Sequence, residues 1–278
     1  MPDDAPHNPY KIDGPASISF SGGRSSGYML AHIIEAAGGT LPSDVHVLFM
    51  NTGKERDETL NFVRDVSERW SVPIHWIEYC GKDAPAPYQF VGHNSASRKG
   101  EPFDVLIAER RFLPNPKMRF CTEILKIRAA MWFMRQRYDD WSEIIGYRAD
   151  EGRRVAKSRT REQSGKDGTF RHLIFPMHTA GATKRNVLDW WRIQPFDLQL
   201  MQHEGNCDLC FMKATSKVID IIRRDPVRAD WWSDHERLIN ARWSKRRPSI
   251  QRLAEMAAGQ GVFETIVDDN LEACFCHD

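Results

Sequence analysis

Short apolar runs alternate with amphipathic segments over the first half of the chain. Four runs have the length of buried strands: residues 17–20, 45–50, 74–79 and 143–147. Three segments between them carry apolar residues at helical spacing: residues 27–37, 59–70 and 122–137. Alternation of this kind is typical of βαβ units, in which helices cover both faces of a parallel sheet. The pattern therefore predicts an α/β fold.

The remaining chain is mainly helical or irregular in its pattern. Helices are predicted at residues 103–111, 183–192, 215–224, 227–241 and 250–258. The Pro/Gly/Arg-rich stretch 80–120 predicts a long functional loop, and the highly charged residues 149–170 predict a second loop. We expect a loosely held tail over residues 1–14, an α/β domain over 15–200 and a helical region over 201–278.

Composition narrows the class of protein. Of the 278 residues, 41% are hydrophobic and 28% are charged, which is ordinary for a protein with a sizeable core. The net charge of +1 excludes a globally basic nucleic-acid binder, although a local basic patch is compatible with it. No apolar run approaches the roughly 18 residues that span a membrane, and the acidic start lacks the features of a signal peptide. We expect a cytoplasmic protein without a membrane partner.

The first apolar run leads through a glycine pair into a helical segment. Residues 18–29 read Ile-Ser-Phe-Ser-Gly-Gly-Arg-Ser-Ser-Gly-Tyr-Met. Adjacent glycines let a backbone approach its ligand closely, and a helix N-terminus directs unpaired N–H groups at anions. The turn therefore indicates phosphate binding, although its spacing is neither that of a Walker A loop nor that of a Rossmann loop. Such a turn is also common before helices, so it is not specific alone.

Two other predicted strands end in polar, glycine-marked turns. The second is followed by Asn51-Thr52-Gly53-Lys54-Glu55, and the fourth leads into Gly146-Tyr147-Arg148-Ala149-Asp150-Glu151. Ligands of open α/β sheets bind beyond the carboxyl ends of the strands. The three turns therefore predict one nucleotide pocket, with backbone anion sites and arginine forks.

The order of these motifs resembles the phosphoadenosine phosphosulfate (PAPS) reductase family of the adenine-nucleotide alpha-hydrolase superfamily (HUP, or PP-loop). That family carries Ser-Gly-Gly, then Asp-Thr-Gly with a following Glu-Thr, then Gly-x-Arg-x-x-Glu. The corresponding residues here are Ser21-Gly22-Gly23, Asn51-Thr52-Gly53 with Glu58-Thr59, and Gly146 to Glu151. The resemblance covers residues 15–225 in motif order. It implies a HUP-type five-stranded parallel sheet, with residues 15–200 as the nucleotide-binding domain.

The resemblance also implies which residues bind the nucleotide. They are Ser19, Ser21, Gly22, Gly23, Arg24, Ser25, Ser26, Asn51, Thr52, Gly53, Gly146, Arg148 and Arg154. The loop of residues 21–26 is assigned to the phosphates, the turn of residues 51–53 to the nucleoside, and Arg148 with Arg154 to the anionic group. ATP or adenylyl sulfate is the expected nucleotide, with Mg²⁺ as a further candidate. Ser25 replaces the Asp of the ATP-pyrophosphatase loop, which leaves cleavage of ATP open.

The cysteines suggest a metal site. In a cytosolic chain, a Cys-x-x-Cys (Cys207, Cys210) and a Cys-x-Cys (Cys274, Cys276) indicate metal or redox chemistry rather than disulfides. Cys121 begins a predicted helix, a position suited to metal-binding thiolates. Iron-dependent members of the resembling family use a Cys-Cys pair and a Cys-x-x-Cys, and the first pair is Cys121-Thr122 here.

The implied ligands are therefore Cys121, Cys207 and Cys210, with either Cys274 or Cys276 as the fourth ligand or a fourth iron left open for substrate or sulfide. We favour a [4Fe–4S] cluster over zinc, on the resemblance rather than on the spacing. We interpret Cys80, which closes a predicted strand, as a structural thiol.

These expectations combine into a PAPS-reductase-like enzyme that uses an adenine nucleotide and an iron–sulfur cluster in sulfur chemistry. The version we favour transfers sulfur to an acceptor such as a nucleic acid, with Arg148 in a catalytic role. The family's C-terminal Glu-Cys-Gly-Leu-His is replaced by Cys274-Phe275-Cys276-His277-Asp278. A sulfonucleotide (APS/PAPS) reductase with Cys276 as nucleophile is one alternative, and a non-catalytic nucleotide and iron–sulfur sensor is another. Expected partners are a protein donor of electrons or sulfur and a second copy of the chain.

Overall fold

A computed structural model describes residues 8–163, 171–205 and 207–259. Its six strands are β1 (Ala16–Ser19), β2 (Val45–Met50), β3 (Ile74–Tyr79), β4 (Tyr88–Val91), β5 (Trp141–Ile144) and β6 (Arg171–Ile174). They form one sheet in the order β4-β3-β2-β1-β5-β6. Every neighbouring pair is parallel except β3 with β4. The predicted α/β fold is confirmed, and β4 adds an antiparallel edge to the five parallel strands that the resemblance implied.

Helices cover both faces of this sheet. They are α1 (Arg24–Ala36), α2 (Asp57–Arg69), α3 (Glu101–Arg110), α4 (Phe120–Thr122), α5 (Arg128–Arg135), α6 (Gly152–Gln163), α7 (Pro176–Thr179), α8 (Lys184–Arg192), α9 (Thr215–Arg224), α10 (Arg228–Ile239) and α11 (Ile250–Ala257). A π-helical turn, Glu123–Ile127, joins α4 to α5, and a 3₁₀ turn, Ala149–Glu151, precedes α6. None of the helices in the described part of the chain is long and apolar enough to cross a membrane.

Alternate residues of β2 divide the core into two layers. Val47 and Phe49 pack in the layer that α1, α2 and α8 cover. Leu48 and Met50 pack in the other layer, with residues of α3, α5, α9, α10 and α11. The helical C-terminal part therefore shares a hydrophobic core with the sheet, and its loop before α9 carries Cys207 and Cys210.

Two expectations were wrong in a way that bears on the site. Within the charged segment predicted as a loop, residues 152–163 form α6 instead, because residues 153–163 contain no glycine or proline and are rich in helix formers, and residues 164–170 lie outside the described part of the chain. Val155 anchors α6 against Leu173 and Phe175. Helix α1 begins at Arg24, three residues before the predicted start, so half of the predicted phosphate loop is the first turn of a helix.

Candidate functional site

The loop after β1 is held in shape by one of its own side chains. The Ser26 hydroxyl accepts the backbone N–H groups of Ser21 (3.2 Å) and Gly23 (3.3 Å) and donates to the Gly23 carbonyl (2.9 Å). Gly22 has φ +74°, and an added Cβ would lie 2.6 Å from Thr59 on α2, so only glycine fits there. The structure thus brings Ser21, Gly22, Gly23 and Ser26 together in a fixed turn at the start of α1.

The side chain of Arg24 leaves this turn. Its guanidinium forms a two-pronged ion pair with Asp197 (2.7 and 2.8 Å) and donates to the Leu200 carbonyl at 3.0 Å. The indole N–H of Trp191 donates to the Arg24 carbonyl at 2.7 Å. Arg24 therefore fastens the segment of residues 197–200 to α1, and its side chain is not directed at the turn.

Arg148 joins the loop after β5 to the loop after β1. It is only 4% exposed, and its Nη1 donates to the buried Ser25 hydroxyl at 3.0 Å. Its Nε donates to Asp150 at 3.1 Å, and its Nη2 lies 3.5 Å from a carboxylate oxygen of Glu151. Arg154 pairs with the same Glu151 and lies over the Tyr147 ring, 4.1 Å from its centre. Arg148 is thus in contact with α1, and both arginines are already paired with carboxylates.

Ser19 and Gly146 line the same edge in different ways. The Ser19 hydroxyl forms a hydrogen bond with Glu143 on β5, and Arg171 pairs with that carboxylate at 2.7 Å. Burial raises the pKa of Glu143. Gly146 lies beside the first turn of α1, where an added Cβ would be 3.6 Å from the Ser26 Cα. Ser19 therefore faces β5, whereas Gly146 borders the turn.

Asn51 fixes the loop after β2. Its side-chain nitrogen donates to Glu78 on β3 and to the Ser97 carbonyl (2.9 Å), and its oxygen accepts the Gly53 N–H (3.2 Å). Asn51 is fully buried. An amide can donate to Glu78 and accept from Gly53 at once, whereas an Asp would oppose Glu78 with a second carboxylate. This explains why Asn stands where the resembling family carries Asp.

Thr52 and Glu55 connect the same loop to a cysteine. One Glu55 oxygen accepts both the Thr52 N–H and the Thr52 hydroxyl, each at 2.8 Å. The Thr52 hydroxyl oxygen also lies 3.5 Å from Cys207 Sγ. The second Glu55 oxygen lies 3.8 Å from Lys126 Nζ, and both of these side chains are buried. A chain of polar contacts therefore runs from Lys126 through Glu55 and Thr52 to Cys207.

Cys207 and Cys210 lie in a buried turn, and Asp208 between them holds that turn in place. The Cys210 N–H donates to the Cys207 carbonyl at 3.3 Å. The Asp208 N–H donates to the Lys54 carbonyl at 2.9 Å, and the Asp208 carboxylate lies 3.4 Å from Lys54 Nζ. The same carboxylate accepts the indole N–H of Trp232 on α10 at 2.7 Å. The turn is thus held between the loop after β2 and α10.

Three of the predicted cysteine ligands lie in one region, but the described residues do not form a complete metal site. Burial raises the pKa of Cys207, Glu55 raises it further, and Lys126 opposes them. Cys121 is near enough to contribute to the same pKa shift, so three predicted ligands share one region. Their thiols suit iron or zinc chemically. Within residues 8–163, 171–205 and 207–259, however, no three His, Cys, Asp or Glu side chains are placed to hold one metal ion.

The other predicted ligands, Cys274 and Cys276, lie outside the described residues. Cys80 is half buried after β3, and burial raises the pKa of its thiol.

Sequence reasoning missed three residues that assemble this region: Glu55, Lys126 and Asp208. Glu55 stood within a quoted motif without a role, and Asp208 stood between two candidate ligands. Lys126 gave no signal, because a lysine in an amphipathic helix is expected to face solvent. Only the fold shows that it is buried against Glu55.

These observations define an α/β protein with polar loops at the carboxyl edge of β1, β2 and β5, in which the loop after β2 contacts a buried cysteine turn. The chain is 31% identical over 217 residues to the uncharacterized nin region protein ORF290 of Escherichia phage lambda, covering 72% of this chain and 67% of that protein. It belongs to the same protein family as ORF290.

Further similarities are weaker. The uncharacterized protein MJ0066 of Methanocaldococcus jannaschii is 29% identical over 151 residues, which are 54% of this chain but only 26% of that protein. No protein-family model matches the chain. Among solved structures, the U34-tRNA thiolase NcsA from Methanococcus maripaludis, determined with its [4Fe–4S] cluster, superposes with a TM-score of 0.43 and 14% identity. The superposition covers 84% of this chain and 75% of NcsA. Values this low do not establish a shared activity.

Proposed function

We propose that this protein is an enzyme that binds an adenine nucleotide and transfers sulfur to an acceptor such as a nucleic acid, with an iron–sulfur cluster at its cysteines. One observation carries the proposal. The loop after β2, predicted to hold the nucleoside, contacts the Cys-x-x-Cys turn directly through Thr52 and Cys207, 3.5 Å apart. A nucleotide and a sulfur-bearing group would therefore act at one site.

The loop after β1 would bind phosphates through its backbone. Its fixed turn opens onto the N-terminus of α1, where unpaired N–H groups and the helix dipole attract anions. With Ser25 in place of a carboxylate, positive charge at this point comes from Arg148 and the dipole. A bound phosphate would compete with Asp150 for the Arg148 guanidinium. Arg148 would then stabilise the negative charge that forms on the reacting phosphate.

The reaction we propose balances with sulfide as co-reactant. An acceptor oxygen attacks the α-phosphate of ATP, and pyrophosphate leaves. Sulfide from a donor then forms the carbon–sulfur bond, and AMP leaves with the oxygen. When bound, a cluster held by Cys121, Cys207 and Cys210 would supply the sulfur chemistry of this site. Thr52, held in place by Glu55, would orient Cys207, and Lys126 would balance the negative charge of its thiolate.

Metal analysis tests the cysteine half of the proposal. Protein purified without oxygen should contain iron and acid-labile sulfide in equal amounts and absorb in the visible range. Cys207→Ser and Cys210→Ser should lose both, whereas Cys80→Ser should keep them. Zinc without visible absorption would refute the cluster.

Product analysis tests the nucleotide half. The reconstituted protein is offered ATP, adenylyl sulfate or PAPS, with sulfide and a nucleic-acid acceptor (bulk RNA) present. Pyrophosphate and AMP from ATP would support the proposal, whereas sulfite from a sulfonucleotide would favour the reductase. Tight binding without any product would favour a sensor. In Cys276→Ser, lost activity with a preserved cluster would make that cysteine catalytic, and a lost cluster would make it a ligand.

A further inference from the structure

An exposed basic and apolar patch lies between α3 and α4. We define the patch as Arg110, Arg111, Phe112, Lys117, Met118 and Phe120. Phe112 is 40% exposed and Met118 is 54% exposed. Residues 110–122 include four Lys or Arg and no Asp or Glu. The exposed apolar groups Phe112 and Met118 beside the exposed cations Arg110, Arg111 and Lys117 indicate an interaction surface rather than an ordinary solvated loop.

Acidic residues that flank the patch are directed elsewhere. Glu109 accepts the Tyr79 hydroxyl and the Lys82 N–H, both at 2.7 Å. Glu123 pairs with Arg128 at 2.6 Å. The positive charge of the patch is therefore not neutralised by its immediate neighbours in sequence.

The patch is rigid. Asn115 and Met118 exchange two backbone hydrogen bonds of 3.1 Å, and the Asn115 side chain accepts the Lys117 N–H at 3.0 Å. Leu113 and Pro114 are buried beneath this turn. The Phe112 and Phe120 rings lie 6.5 Å apart, and the Arg110 guanidinium lies 5.8 Å from the Phe120 ring centre. The aromatic and cationic groups are thus held ready for a ligand.

We propose that this patch binds a single-stranded segment of nucleic acid. A base would stack on the exposed ring of Phe112, beside the partly buried Phe120, and phosphates would contact Arg110, Arg111 and Lys117. Aromatic platforms bordered by cations suit unpaired strands, since a duplex hides the faces of its bases. Cys121 directly follows Phe120, so a strand on the patch would extend beside the cysteine region. The inference rests on the proposed function in naming this strand as the sulfur acceptor.

Two other surfaces fit a nucleic acid less well. A cleft of about 470 Å³ beside Lys54 and Asp208 is lined by four cationic and five carboxylate side chains, so it does not favour a polyanion. Helix α6 exposes Arg153 and Lys157, but the nearby Phe175 ring is buried and cannot stack on a base.

The test is fluorescence anisotropy with labelled 20-nucleotide RNA and DNA, single-stranded and duplex, without ATP. The full chain should prefer the single strands. Phe112→Ala should weaken their binding by about tenfold, since stacking on one aromatic residue is worth roughly that much. Arg111→Gln/Lys117→Gln should weaken it further and lower the slope of log affinity against log salt by about 1.4, the value for two single-strand phosphates. Two variants outside the patch are the controls: Phe90→Ala, at a 52% exposed ring on β4, and Arg153→Gln/Lys157→Gln on α6. The affinity of each control for the single strands should stay within about twofold of that of the parent protein.

Three outcomes would overturn the inference. They are unchanged affinity in both patch variants, loss of affinity only in the α6 variant, and a dimer in sedimentation that Phe112→Ala dissociates without altering oligonucleotide binding. Because binding is measured without nucleotide turnover, its failure is distinguishable from failure of the proposed function. Oligonucleotide binding without iron or pyrophosphate would keep the patch and reject the sulfur-transfer enzyme.

Discussion

The loops after β1 and β2 begin from similar sequence signals and use their side chains differently. In the first, the Ser26 hydroxyl bonds back to its own turn at Ser21 and Gly23, and other elements contact the segment only from outside the turn. In the second, Thr52, Lys54 and Glu55 reach outward, to Cys207, Asp208 and Lys126. The first loop is therefore a self-contained backbone cradle. The second is a bridge, whose integrity also depends on the cysteine turn.

This difference separates local from distributed effects of mutation. Changes in the first loop should alter nucleotide binding and leave the cysteine region intact. Changes in the second should disturb both regions.

Glu55→Ala should be the most damaging change. It leaves Lys126 buried without this carboxylate and removes the acceptor of two Thr52 hydrogen bonds. Breaking a buried pair of this kind costs about 3–5 kcal/mol. Urea unfolding measures the loss, and Glu35→Ala, at an exposed position of α1, is the control. A loss below about 1 kcal/mol would mean that Glu55 does not hold the two regions together.

Asp208→Asn should weaken the cysteine turn specifically. The substitution removes the charge opposite Lys54 and Arg228 while keeping the size of the side chain. We expect a loss of about 1–3 kcal/mol in the free energy of unfolding, together with a lower iron content. Asp230→Asn, an exposed carboxylate on α10, should change neither. Equal effects in the two variants would argue against a structural role for Asp208.

Ser26→Ala tests the self-contained loop. Loss of the hydroxyl that holds the turn should cost about 1 kcal/mol and weaken ATP binding in calorimetry, while iron content stays at the parent level. Thr52→Val, by contrast, should lower both ATP affinity and iron content. The comparison fails if Ser26→Ala lowers the iron content as much as Thr52→Val does.

The pH dependence of stability provides a control outside both loops. Burial lowers the pKa of His46 on β2, with Arg137 acting in the same direction and Asp44 against it. Burial, His46 and Arg137 lower the pKa of His75 on β3. A histidine whose pKa is lower in the folded than in the unfolded protein stabilises the fold above its ordinary pKa of about 6.5. This contribution to the free energy of unfolding is lost as the pH falls from about 6.5 toward the folded-state pKa.

We therefore expect the urea midpoint to fall gradually below about pH 6.5, and His75→Phe to flatten that decline. His172→Asn, at an exposed position of β6, should leave the decline unchanged. A decline that persists in full in His75→Phe would assign the acid sensitivity to other groups.

Elements with a continuous pattern were predicted best. β2, β3 and α9 have the predicted bounds, because most of the apolar residues of each element are buried at the spacing that its strand or helix requires. β4 was missed because its four residues follow a Pro-rich stretch and pair only with β3, at the sheet edge. The π-helical turn Glu123–Ile127 also left no mark in the helical spacing of its segment.

The candidate site could be predicted only as far as local motifs reach. Glycines and polar residues after strands identified the loops, since backbone geometry requires them there. The contacts that join those loops to the cysteines bring together residues 55, 126 and 208, which are far apart in the chain. Pairings of this kind are set by packing of the finished fold, and a single sequence carries no pattern that specifies them.

The most direct test of the bridge is amide hydrogen exchange of the full chain with and without ATP, followed by mass spectrometry. ATP should slow exchange in residues 21–27 and 51–56 and also in the cysteine turn over residues 207–214. Protection should disappear from the cysteine turn, but persist in residues 21–27, when Thr52 is replaced by Val. Protection confined to the two loops in the parent protein would contradict the central claim that nucleotide and cysteines form one site.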